Sequence, residues 1–570
     1  MRQVPASSPQ TPAHLLREGV SKLGQLLGYL NLWPIGVGAI AVLIASPVLV
    51  VLTGLFTPAH DVWQHLVETV LWRYIFNSLG LMLGVGVGVV GIGVSTAWLV
   101  TMCQFPYRRW LEWALLLPLA APAYILAFTY TEFLEYYGPV QTMLRALFGW
   151  ESANAYWFPS IRSLGGAIAL LTLVLYPYVY LLTRVAFLEQ STRTLEASRI
   201  LGCGSWQSFW RVALPLARPA IAAGTALALM ETLSDFGTVQ YFSVQTFTTG
   251  IYRTWFGMGE RIAATQLAAL LLLFVLGLIL VEQWFRRHGR YYQTRHRMVP
   301  SRYPLQGWRG WIALLVCLIP ILFGFLLPAV LLVIDGIRHL SEITNPLLWA
   351  YARNSLVLAS LGAVLTGAIA LFLAYGLRLR PSRPMQLSVR LAAMGYAIPG
   401  SVIAVGILVP LGRFDNALDA WMEANFGIST GLLLSGTMIA LLFAYLVRFL
   451  AVAFNSVEAS LNRIKPSLDD AARSLGHSPA STLRRVHFPL MGSGLITALL
   501  LVFVDVMKEL PATILIRPFN FDTLAVRAYQ LASDERLAEA ALPALAVVLA
   551  GLLPVILLSR QIQKADSTPS

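Results

Sequence analysis

Apolar residues in this chain gather into long blocks, not into the short alternating runs of a half-buried strand. A helix crossing the hydrocarbon of a bilayer needs about 20 such residues. Ten blocks meet that length without an internal charge: 33–56, 75–101, 113–131, 163–183 and 262–281 in the first half, then 311–334, 354–377, 391–412, 428–447 and 540–559 in the second. Two more, 216–240 and 490–510, begin apolar and then meet acids. Taken as interrupted spans, they bring the total to twelve. The predicted fold class is an all-α membrane protein with twelve transmembrane helices.

The blocks also repeat. Asn77-Ser78-Leu79 recurs as Asn354-Ser355-Leu356, and Pro122 recurs as Pro399, both 277 residues on. Farther along the offset becomes 274, with Gly202 matching Gly476 and Pro215 matching Pro489. Two copies of a six-span unit follow. An even number of spans per copy leaves the copies parallel, related by an axis along the membrane normal. The expected division is a tail with an amphipathic helix at 1–30, repeat one at 31–285, a basic linker at 286–310, repeat two at 311–562 and a C-terminal tail at 563–570. Leucines at helical spacing within 14–30 suit either a helix lying on the membrane surface or an extension of the first span.

Charge sets the orientation. Arg108 and Arg109, the seven arginines of 286–309, and Arg378, Arg380, Arg383 and Arg390 lie in loops without acids, whereas the alternate loops are mixed. Basic loops face the cytoplasm, so both termini are expected there. Composition agrees: 57% of residues are hydrophobic and 12% charged, about half the charge of a soluble domain. The net charge of +13 then reflects loop arginines, and no basic run is interleaved with base-stacking aromatics to suggest nucleic acid. Cys103, Cys203 and Cys317 lie far apart, and the histidines fall outside the apolar blocks. Neither a disulfide framework nor a resident metal site is expected.

The most informative stretch is polar. Residues 195–215 read LEASRILGCGSWQSFWRVALP, and residues 468–490 read LDDAARSLGHSPASTLRRVHFPL. Both keep one frame: acid-Ala-small, three residues, Gly, nine residues, Val-x-apolar-Pro. An acid near a helix start suits the helix dipole. Glycine permits a turn of positive φ, and proline sets the next helix. Each stretch is predicted to form a helix-turn-helix elbow, far longer than an ordinary inter-helix loop. This frame resembles the EAA loop of bacterial ABC importer permeases. Glu196, Ala197, Gly202, Leu214 and Pro215 match it in repeat one, and Ala471, Gly476 and Pro489 in repeat two, where Asp470 stands in for the glutamate. The resemblance implies that these are coupling helices docking on two separate ATPase subunits, which bind the ATP. The chain itself has no P-loop, because none of Lys22, Lys465, Lys508 and Lys564 follows a glycine.

The two interrupted spans carry acids at matching places: Glu231 and Asp235, then Asp505 and Glu509, each 274 residues apart. Four-residue spacing would put each pair on one helix face. Interrupted spans in corresponding positions point to a translocation path. The alternative is structural, with the acids capping broken helices or pairing with basic residues. Around them, 230–257, 398–408 and 504–537 resemble the fused, two-copy permeases of bacterial ferric-iron ABC importers. That resemblance implies an inner-membrane permease with two ATPases and a periplasmic binding protein as partners, no cofactor of its own, and no covalent chemistry. Other branches importing thiamine or small solutes share the architecture. An ion-gradient-driven secondary transporter is the rival from another class, but it has no use for two long matched elbows.

Overall fold

The computed structural model describes residues 32–57, 60–189, 202, 204–287 and 302–567. Residues 1–30, most of the linker, and Glu196 and Ala197 of the first elbow lie outside them. The described chain is almost wholly helical. Ten of its helices are long and apolar enough to cross a membrane, and two further bent pairs raise the number to as many as twelve.

Repeat one contributes α1 (Leu32–Gly54), α2 (Leu71–Met102), a broken segment ending in α3 (Ala123–Leu134), α4 (Leu164–Glu189), α5 (Leu214–Ser234), a short α6 (Gly237–Tyr241) and α7 (Arg261–Arg287). Repeat two follows with α8 (Trp308–Ile321), α9 (Leu327–Arg338), α10 (Pro346–Leu379), α11 (Arg383–Ala392), α12 (Gly400–Phe426), α13 (Met438–Leu461), α14 (Ser467–Ser474), α15 (Gly492–Lys508), α16 (Pro511–Ile516) and α17 (Leu537–Ser567). A two-residue parallel pair, β1 (Cys103–Gln104) with β2 (Tyr303–Pro304), fastens the chain leading into repeat two onto the end of α2.

The third span of each repeat departs from the sequence expectation of an uninterrupted helix. In repeat one, Arg108–Ala120 and Ala123–Phe148 meet at 92°. In repeat two, a 3₁₀ turn at Ala393–Ala397 gives way to α12. The break falls at Pro122 and Pro399, both extended, with ψ of 142° and 139°. Proline lacks the N–H that would continue the preceding helix, yet its fixed φ suits the start of the next one.

Small residues draw helices together. A Cβ at Gly84 or Gly88 of α2 would meet Ile168 at 2.6 Å or Thr172 at 2.5 Å on α4, the close packing expected of glycines spaced four apart. The repeats also exchange arms. Trp33 of α1 stacks on Phe372 of α10 at 4.6 Å, and a Cβ on Gly406 of α12 would lie 2.4 Å from the Pro47 carbonyl of α1. Reciprocally, a Cβ on Gly324, between α8 and α9, would lie 2.7 Å from the Leu173 carbonyl of α4. The Tyr130 hydroxyl of α3 donates to the Phe323 carbonyl. The opening helices of each repeat thus lie against the other repeat.

Asn77 and Asn354, the first residues of the repeated triplet, have matching tasks. Asn77 Nδ2 donates to the Gln245 carbonyl at 2.9 Å, and Asn354 Nδ2 donates to the Asp522 carbonyl at 3.1 Å. Each ties the second span of its repeat to the loop that follows the interrupted span.

Candidate functional site

The interrupted spans end at their acids. Helix α5 stops at Ser234, and Asp235 continues in extended backbone (φ −65°, ψ 129°). Its Oδ1 accepts the backbone N–H groups of Thr238 and Val239, both at 3.1 Å, and its Oδ2 accepts the Thr238 hydroxyl at 2.9 Å. Helix α15 stops at Lys508, and Glu509 repeats the geometry (φ −69°, ψ 125°). Glu509 Oε1 accepts Ala512 N–H at 2.8 Å, and Oε2 accepts Thr513 N–H at 2.9 Å together with the Thr513 hydroxyl. These carboxylates satisfy the unpaired N–H groups of the short helices α6 and α16, where negative charge is favoured.

This corrects the expectation that each acid pair shares one helix face. The helix ends between Glu231 and Asp235, and again between Asp505 and Glu509. The later acid of each pair caps the next segment, as the structural alternative anticipated. Glu231 and Asp505 remain on the helices.

All four acids nevertheless line one cavity of about 160 Å³ between the repeats. Its wall also includes Tyr124 and Tyr178 from repeat one, with Tyr396, Arg448 and Lys508 from repeat two. Tyr178 and Tyr396 thus bring an aromatic ring to the wall from each side of the repeat boundary. Lys508 Nζ lies 3.5 Å from Asp505 Oδ1. The cavity wall carries both signs of charge, with acids in excess.

Arg448 is the residue that sequence reading missed. It interrupts α13, whose apolar run resumes at Phe449–Phe454 before the polar end of the helix. The expected span ended at residue 447, so the arginine looked like a flank. In the structure it is 8% exposed, and its guanidinium reaches Glu509 Oε1 at 3.4 Å and Ser234 Oγ at 3.2 Å. The available signal was the apolar run Phe449–Phe454 beyond it.

At the other end of α5 and α15 lie the elbows. Gly202 and Gly476 have φ of +83° and +78°, the left-handed conformation that glycine adopts without steric cost. Asp469 and Asp470 occupy the first turn of α14. Past each glycine comes a short helix that passes through a π-helical turn, Phe209–Ala213 in repeat one and Leu483–His487 in repeat two. Asp470, Ala471, Gly476 and Pro489 are exposed, and so are Trp206, Trp210 and Leu475. Leu214 and Pro215 are half-buried at the start of α5.

Comparison with known proteins follows the same division. The family described as "Binding-protein-dependent transport system inner membrane component" matches residues 34–291 and again 363–565. The Fe(3+)-transport system permease protein FbpB 2 of Haemophilus influenzae is 27% identical over 496 residues, covering 85% of this chain and 89% of the relative. A probable ABC transporter permease protein, y4fN, of Sinorhizobium fredii is 24% identical, covering 87% and 88% of the two chains. The molybdenum transport system permease protein ModB of Escherichia coli is 25% identical over 225 residues, 38% of this chain but 95% of the relative. That relative is about the size of one repeat.

Proposed function

Because the chain belongs to the family of binding-protein-dependent transport system inner membrane components, we propose that it is the fused permease of an ATP-driven importer that moves ferric iron into the cytoplasm. One observation carries the mechanism: α5 and α15 each run from an elbow to the acid-lined cavity. A helix of 21 residues is a rod roughly 30 Å long. Movement of the elbows is therefore delivered at the cavity.

Two separate ATPase subunits dock on the elbows through Glu196, Ala197 and Gly202 in repeat one, and through Asp470, Ala471 and Gly476 in repeat two. Leu214, Pro215 and Pro489 lead from the elbows to the spans. ATP binding closes the ATPase pair and draws the elbows together, which opens the cavity to the periplasm. A periplasmic binding protein delivers the cargo, and hydrolysis resets the cavity toward the cytoplasm. Both termini and both elbows then face the cytoplasm, as the basic loops require. The chain performs no covalent chemistry and holds no cofactor of its own.

Iron is supported by the ferric-transport relatives, which align over most of the chain. It is supported as well by the carboxylates and tyrosines of the cavity, because hard cations prefer oxygen ligands. Glu231 and Asp505 are the cargo contacts, since Asp235 and Glu509 are committed to helix caps. A pathway needs contacts weak enough to release the ion. Among the described residues, no group of three or more His, Cys, Asp or Glu side chains is placed to hold a metal.

Reconstitution of the full complex in proteoliposomes tests this reading. ATP-dependent uptake of radioactive ferric iron should require the binding protein and fall about tenfold in Glu231→Gln with Asp505→Asn, the scale of a lost charge-assisted contact. Uptake of thiamine or molybdate in place of iron would overturn the substrate. Undiminished iron uptake in the double variant would overturn the cargo contacts.

A further inference from the structure

At the cavity the two repeats share the acid pairs and the proline break and differ at most other lining positions; one departure involves two residues at once. Arg448 stands where repeat one has Val174, and Gly400 stands where it has Ala123. The departures are linked. A Cβ at Gly400 would lie 2.2 Å from Arg448 Nη1 and 2.9 Å from Glu509 Oε1. The guanidinium therefore occupies space that the other repeat gives to a methyl group, and glycine is what admits it. The π face of Phe449 adds a third contact, with Arg448 Cζ 5.7 Å from the ring centroid.

What the arginine joins is more specific than a buried charge seeking a partner. Ser234 is the last residue of α5, and Glu509 directly follows the last residue of α15. These are the ends of the two rods that lead from the elbows. Arg448, on α13, thus fastens the cavity end of repeat one to the cavity end of repeat two. A buried ionic contact gives little net stability, but it serves well as a register or switch element. An ionisable group inside a span is a functional hypothesis by default.

We propose that Arg448, seated by Gly400, is a latch across the repeats that holds the cavity shut until the motor separates the ends of α5 and α15. This rests on reading the elbows as the points where ATP-driven motion enters. As a tethered cation in an acid-lined cavity, the arginine also offsets negative charge while no cargo is present. It is a positioning residue: it acts on Ser234 and Glu509 and touches no cargo.

The test uses the full complex in proteoliposomes, with Cys103, Cys203 and Cys317 replaced by alanine and Val174→Cys as reporter. Val174 lines the cavity at the position that corresponds to Arg448. Reaction with a membrane-impermeant thiol reagent is timed with and without a non-hydrolysable ATP analogue. Without the analogue, Arg448→Gln should raise the rate about tenfold, the scale expected for losing one charged hydrogen bond. Arg448→Lys should fall between, because an ammonium lacks the fork that reaches both partners. Gly400→Ala should raise the rate while keeping the charge. The analogue should raise the parent rate to that of Arg448→Gln and change the variant little.

Rates in Arg448→Gln and Gly400→Ala equal to the parent's would overturn the latch. So would a further full response of Arg448→Gln to the analogue. Glu509 keeps its bonds to Ala512 and Thr513 in that variant, so α16 stays capped and the chain should assemble; co-purification of the ATPase subunits checks this. If Gly400→Ala fails to assemble, the two arginine variants decide. Iron uptake is scored separately. Should Glu231→Gln with Asp505→Asn leave uptake unaltered, the cargo contacts fail while the labelling rates still judge the latch.

Discussion

The two elbows share a frame but are held by different physics. In repeat two, Arg378 of α10 donates to Asp469 through Nε at 3.1 Å and Nη2 at 2.5 Å, and to the carbonyls of Leu461 and Ile464 at 2.6 and 2.9 Å. Asp469 Oδ1 in turn lies 2.9 Å from Nε2 of the buried His487. Tyr375 donates to the Pro479 carbonyl at 2.8 Å. Repeat one has Trp98, Thr101 and Ala213 at the places of Tyr375, Arg378 and His487. There the Trp98 ring packs on Phe209 and Phe187, at centroid distances of 5.0 and 5.5 Å. Among the described residues, the second elbow is held by a charged network and the first by an aromatic cluster.

The helices that follow differ as well. The segment Trp206–Ser234 runs through as one span. The corresponding Pro479–Leu490 meets Gly492–Lys508 at 81°. Repeat two has Gly492, Ser493 and Gly494 where repeat one has Arg218, Pro219 and Ala220, and glycine with serine is a common cause of sharp kinks. One conclusion is that the repeated frame constrains spacing and backbone turn while leaving the means of support free. A second is that the two supports respond to different perturbations.

The largest expected effect comes from the aromatic side. Trp98→Ala should cost about 3–5 kcal/mol of local stability, as buried Trp truncations do. Hydrogen exchange should quicken across 204–213 and stay unchanged across 467–490. Arg378→Met should do the reverse at about 3 kcal/mol, because it leaves the half-buried Asp469 carboxylate without its cation; the figure is set at the low end because both side chains keep some exposure. Tyr375→Phe should cost about 1 kcal/mol, one hydrogen bond, read from the same exchange data.

The smallest effect is one of pH. Burial, assisted by Arg378, holds the His487 imidazole below its ordinary value, while Asp469 opposes the shift. The neutral ring is thus the folded form. Its stabilisation is complete above the unfolded imidazole pKa, near 6.5, and is lost as pH falls below that toward the depressed value. The protection factor across 467–490, each exchange rate being compared with its intrinsic rate at that pH, should fall on acidification in the parent and lose that dependence in His487→Gln. The first elbow, with Ala213 at that place, should show no such response.

Much of this organisation was legible in the chain. Block lengths gave the spans, the recurrence of Asn77 and Pro122 gave the repeat, and the glycines of the polar frame adopt the positive φ that their spacing suggested. The breaks at Pro122 and Pro399 were hidden because a span averaged for hydropathy reads the same whether or not it bends. Asp235 and Glu509 were misplaced because four-residue spacing implies a shared face only while the helix continues. Arg448 escaped because a charge beside a counted span resembles a flank. The Arg378 network was invisible for a different reason: its members come from three separated segments, and only tertiary packing brings them together.

The exchanged opening helices carry a last consequence. With α1 lying on α10 and α12, and the segment around Gly324 lying on α4, neither half can close its own surface in isolation. The covalent joint is thereby relieved of keeping the halves together. Its remaining service is arithmetic, guaranteeing that every first half is synthesised with one second half. Two such halves made as separate chains should still find and clasp each other.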